Sequence, residues 1–114
     1  MKRSIAIAVL GLLPAAPALA ADAAAPQKAA VCTSCHGERG AKPIAPTYPV
    51  LAGQYANYLE QALHQYKSGA RKNPIMAAQA ASLADEDIKA LAHYFAAQDG
   101  PLYTPSVAGH GKQP

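Results

Sequence analysis

Both cysteines of this 114-residue chain fall within five residues, Cys32-Thr33-Ser34-Cys35-His36, and that cluster limits the folds open to it more than any other feature. Two thiols three positions apart on a helical turn face the same side, and an imidazole follows at once. A dithiol redox centre would sit at a helix start after a strand in a βαβ unit, and no segment before Cys32 alternates like a strand. A zinc site needs two further ligands, and there is no second cysteine pair. A disulfide this short closes a tiny loop and stabilises little. The remaining chemistry is C-x-x-C-H attachment of haem: the thiols add to two vinyl groups on one porphyrin edge, and His36 supplies a nitrogen to the iron.

Composition explains why a bound group would help. Apolar residues make up 51% of the chain, but much of that is alanine, and there is no tryptophan. Such a sequence builds a thin core, and small domains of this kind rely on a disulfide, a metal or a cofactor. The length allows one domain and argues against a multidomain enzyme, a disulfide-rich toxin and a polytopic membrane protein. Residues 1–20 read as a signal peptide. Lys2 and Arg3 start it, an apolar run follows from Ile5 to Leu13, and Ala18-Leu19-Ala20 is the cleavage site. Export to the periplasm is therefore expected, with cleavage after Ala20. Losing Lys2 and Arg3 lowers the net charge from +3 to +1. No basic stripe is left for nucleic acid.

The mature chain reads as all-α. Residues 22–28 lead into a first helix that carries Cys32, with Pro26 expected at an early helical position. Residues 37–53, with Pro43, Pro46 and Pro49, read as loop. A helix over 54–68 presents Tyr55, Leu59, Ala62 and Tyr66 on one face and stops at Gly69. A short helix is expected over 76–82. The last helix, 85–98, buries Ile88, Leu91, Ala92 and Phe95 and opens on Asp85, Glu86 and Asp87, which suit its positive end. Residues 101–114 form a flexible tail, so the expected division is 1–20, 21–100 and 101–114.

A second axial ligand is sought among Met76, His64, His93 and His110. Helical geometry turns His64 and His93 away from the apolar faces and towards solvent. His110 falls in the tail. Met76 is the only methionine left after cleavage and follows Asn73-Pro74, in a loop able to present its side chain; packing as core filler is the plainer role.

The segments CTSCHG at 32–37, YPVLAGQ at 48–54, YLEQALHQYKSG at 58–69 and the run from Ala70 to Ala96 together resemble bacterial class I cytochromes c. The likeness is to the small periplasmic monohaem type and to one domain of the tandem di-haem form. It implies three main helices plus a short one around one covalent haem c held by Cys32 and Cys35, with His36 and Met76 as axial ligands. It also implies a proline carbonyl that orients the histidine in a P-x-L-x-G context. Pro49-Val50-Leu51-Ala52-Gly53 matches, which makes Pro49 the candidate; Pro43 and Pro46 are the alternatives. Tyr94 or Phe95 would fill the crossing of the first and last helices. Arg71, Lys72 or Asn73 would face a haem propionate or be solvated. One departure is Ala84, where the family commonly has a serine cap, so either Asp85 caps the last helix or the cap is missing.

The expected function is periplasmic one-electron transfer, with no enzyme activity, by a monomer. Its partners would be redox proteins, a membrane-bound oxidase or reductase among them. The alternative is the cytochrome subunit of a periplasmic dehydrogenase, for which an apolar patch around the haem edge would speak.

Overall fold

The computed structural model describes residues 25–105; the expected signal peptide and the end of the expected tail, residues 106–114, lie outside them. Four helices follow in order: α1 (Ala29–His36), α2 (Ala56–Ser68), α3 (Pro74–Ala81) and α4 (Asp85–Ala96), with a 3-10 turn at Glu38–Gly40. No strand occurs among the described residues, in keeping with the all-α expectation.

α4 is the spine. Ile88, Leu91, Ala92 and Phe95 recur every three or four residues and are all buried, as their spacing predicts. They meet Leu59 from α2, Ala80 from α3, Leu83 from the α3–α4 turn and Ala29 from α1. Three of these eight core residues are alanines, so the interior is as thin as the composition suggests. α2 packs against both α3 and α4.

α1 starts at Ala29, directly after the expected lead-in of residues 22–28. The Pro26 carbonyl accepts the Ala29 N–H at 2.8 Å, closing a turn, and the helix begins only after it. Pro26 therefore lies outside the first helical turn. Lys28, just ahead of α1, reaches across to the Asp87 carboxylate of α4 and to the Ser82 carbonyl. Lys67 on α2 accompanies it, donating to the Leu83 carbonyl at 2.6 Å and lying 3.7 Å from Asp85. The start of α4 is thus tied to two other helices.

Ala84 occupies the cap position of α4 in extended geometry, and its methyl has nothing to offer the first turn. Asp85 is the first helical residue and is not the cap. Asp87 reaches back instead, accepting the Ala84 N–H at 2.8 Å, so one half of a capping box is present.

Of the expected tail, residues 101–105 are held in place. Thr104 donates its hydroxyl to the Gly53 carbonyl at 2.8 Å, and the Tyr55 hydroxyl donates to the Pro105 carbonyl.

Candidate haem site

α1 is about two turns long, and its last five residues are the whole C-x-x-C-H cluster. Cys32 and Cys35 are free thiols, both half-buried, and Cys32 packs against the core. Burial raises the Cys32 thiol above its ordinary pKa. His36 ends the helix and is only 5% exposed. Its Nδ1 lies 2.8 Å from the Pro49 carbonyl oxygen. A carbonyl only accepts, so Nδ1 carries the ring proton and Nε2 is left with a lone pair. Every fully buried side-chain nitrogen and oxygen among the described residues has a partner. Nε2 makes no hydrogen bond among the described residues. A buried imidazole held through Nδ1, on the same short helix as two free thiols, fits a haem iron. The Tyr48 ring meets the imidazole edge-on, with centroids 6.1 Å apart.

The chain must turn sharply to bring Pro49 there. Gly37 has φ +80, and a Cβ on it would lie 1.8 Å from the Lys42 carbonyl oxygen, so only glycine lets the following loop fold against α1. Gly40 packs its Cα against Leu51 and the Phe95 ring, and its carbonyl accepts the N–H groups of both Leu51 and Ala52. The Ile44 N–H donates to the Cys35 carbonyl at 3.1 Å. Among Pro43, Pro46 and Pro49, the Pro49 carbonyl is the one bonded to His36.

Met76 is not in a loop. It is the third residue of α3 and is half-buried. Asn73 caps this helix and Pro74 follows at the first helical position, a pairing that the sequence carries and that marks a helix start. The preceding segment is fastened to α2. The Arg71 N–H donates to the Gln65 carbonyl at 3.1 Å, its guanidinium reaches the Tyr58 hydroxyl at 3.4 Å, and its charge sits 5.0 Å above the Tyr66 ring.

His64 and His93 are half-buried. His110 lies outside the described residues. Phe95 is the aromatic sealed in the core, and Tyr94 meets it edge-on at 5.0 Å. No set of three His, Cys, Asp or Glu side chains among the described residues could hold a metal ion by itself. A shallow groove behind α1, lined by Pro26, Ala30, Thr33, Arg39 and Tyr94, contains none of Cys32, Cys35, His36 and Met76. Nothing in the spacing of Tyr48 marks its contact with His36. The Asn73-Pro74 cap was there to be read.

The family model for cytochrome c matches residues 20–98. The chain is 39% identical over 119 residues to a thiosulfate dehydrogenase electron acceptor of Thiomonas intermedia, covering 99% of this chain and 54% of that protein. It is 43% identical over 84 residues to cytochrome c-554(548) of Halomonas halodenitrificans, covering 70% of this chain and 100% of that one. The solved cytochrome c4 of Pseudomonas stutzeri superposes with a TM-score of 0.56 at 35% identity, over 60% of this chain and 38% of that one. The chain thus spans about half the length of the first relative and all of the second. Together with the buried imidazole beside two free thiols, these likenesses place the chain in the cytochrome c family, whose all-α fold is built around a covalently bound c-type haem.

Proposed function

We propose that the chain is a periplasmic one-electron carrier in which Cys32 and Cys35 hold a single haem through thioether bonds and His36 and Met76 take the two axial positions. The observation that carries this reading is the His36 imidazole, buried and fixed through Nδ1 to Pro49, with no bond to Nε2 among the described residues. When bound, the haem supplies the electron-transfer centre. The chain's residues do the rest. Pro49 fixes the tautomer and ring plane of His36. The Met76 thioether favours the reduced state over what a second imidazole would give, which raises the potential. With His36 and Met76 both holding the iron, the haem would offer a substrate no open site, and the chain would transfer electrons without enzyme chemistry of its own. It divides into a leader at 1–20, removed after Ala20, the folded unit at 21–100 and a tail at 101–114.

A second reading has support of its own. One relative is named as an electron acceptor of thiosulfate dehydrogenase, and apolar side chains stand exposed beside the candidate site. Val31 (56% exposed) lies one helical turn from Cys35, Ile44 (67%) is bonded to the Cys35 carbonyl, and Ile75 (50%) adjoins Met76. Such a surface suits a cytochrome docked to a periplasmic dehydrogenase.

The test is the absorption spectrum of exported protein, oxidised and reduced, beside Met76→Ala. Wild type should show covalent haem and the weak long-wavelength band of an iron–thioether bond. Met76→Ala should keep the haem, lose the band, bind added ligands and have a lower potential. An unchanged spectrum and potential would remove Met76 from the iron.

A further inference from the structure

We infer that Asn73 is a positioning residue for Met76: its side chain holds the backbone of the distal ligand, and so sets how often the sixth position of the haem opens. The inference rests on the reading of Met76 as that ligand. The Asn73 Oδ1 accepts the Met76 N–H at 3.0 Å, the cap bond of α3. The Asn73 carbonyl also accepts the Ala77 N–H at 2.9 Å, the next bond of the same turn. Pro74 between them has a fixed φ, so the first turn has little freedom once the cap is made. The chain is also held two residues before Asn73. Arg71 is fastened to Gln65, Tyr58 and Tyr66 of α2 by its backbone, its guanidinium and its charge.

Met76 is therefore presented by a turn anchored at its root, and moving its Cα away from the iron requires the cap to break. A ligand that competes for the sixth position binds only the open form, so its apparent affinity is scaled by the open fraction. Losing a cap of this kind costs about 0.5–2 kcal/mol, which at about 1.4 kcal/mol per tenfold corresponds to about 2- to 30-fold. Asn73→Ala should raise the apparent affinity of the oxidised holoprotein for added imidazole by that factor, and should weaken the iron–thioether band. Asn73→Asp and Asn73→Ser, which keep an acceptor at the cap, should restore both.

A purely structural cap would lower thermal stability without touching the sixth position. The comparison is Asp87→Ala, which removes the reciprocal first-turn bond at the start of α4, from the Ala84 N–H to the Asp87 carboxylate, together with the Lys28 pair. It should lower the melting temperature while leaving imidazole affinity and the band as in wild type. If Asn73→Ala shifts stability but binds imidazole as wild type does, the positioning role is wrong. If Asp87→Ala changes imidazole affinity as much as Asn73→Ala does, general loosening accounts for the effect and the inference also falls. If wild type itself lacks the iron–thioether band, the fault lies in the assignment of Met76, and that outcome is distinct from both.

Discussion

Replacing Ala84 with serine should stabilise the holoprotein, by an amount the geometry allows to be estimated. Ala84 already has the extended backbone of a cap residue, with φ −75 and ψ 164, and its side chain is exposed. A serine there needs no backbone movement and no burial of its hydroxyl. The Asp87 carboxylate already takes the Ala84 N–H at 2.8 Å, so the new hydroxyl would accept the Asp87 N–H and complete the reciprocal pair. A cap of this kind contributes about 0.5–2 kcal/mol over alanine, typically about 1. For a domain of this size each kcal/mol moves the melting temperature by about 4–8 °C. The expected gain is therefore about 4–8 °C in thermal unfolding followed by circular dichroism. Ala84→Val, which adds bulk without an acceptor, should show no gain. If serine and valine behave alike, the first turn of α4 is not short of a hydrogen bond and the half-box reading is wrong.

Gly37→Ala should yield little or no protein with covalent haem, because its Cβ would meet the Lys42 carbonyl at 1.8 Å in a backbone conformation that alanine resists; haem-stained gels of exported protein would show this, and normal yield would refute it. Lys28, followed by the Ala84 N–H, lowers the pKa of Asp87 below its ordinary value. The folded state then favours the carboxylate, so the stabilisation is present above the unfolded pKa of about 3.9 and is lost as pH falls through the folded value. The melting-temperature gap between wild type and Asp87→Asn should accordingly be full near neutral pH and close in acid. Arg39, Lys42, Arg71 and Lys72 are exposed and make no ion pair among the described residues, whereas Asp85 and Asp87 are paired with Lys67 and Lys28. Electron transfer to an anionic small-molecule oxidant should therefore slow as salt shortens the Debye length from about 30 Å to about 8 Å, and a cationic oxidant should show the reverse; equal slopes in stopped-flow would mean that these four charges do not steer encounter.

The fold was most legible where one face of a helix does all the packing. Ile88, Leu91, Ala92 and Phe95 repeat at helical spacing, and every one of them is buried. α2 packs on α3 as well as α4, so its covered surface is broader than the one face that Tyr55, Leu59, Ala62 and Tyr66 mark. α3 was hard to delimit because alanine and its apolar neighbours surround it, leaving no polar face to mark the period. Its true start was signalled by Asn73-Pro74, a chemical cue and not a periodic one. The bond between His36 and Pro49 spans 13 positions and was reached only through a family resemblance. The anchoring of residues 102–105 left no trace in the sequence, since side-chain bonds to distant carbonyls have no repeat.

The carbonyl of Gly40 holds the amides of Leu51 and Ala52 together, at the foot of the loop that begins at Ala41. One carbonyl therefore fixes where the loop rejoins the body of the molecule, and both amides depend on it. Pro49 lies within that loop, so the tether on the His36 imidazole is only as firm as this junction. Deuterium uptake at Leu51 and Ala52, read against the amides of Ile88 and Phe95, would show whether the junction opens before α4 does.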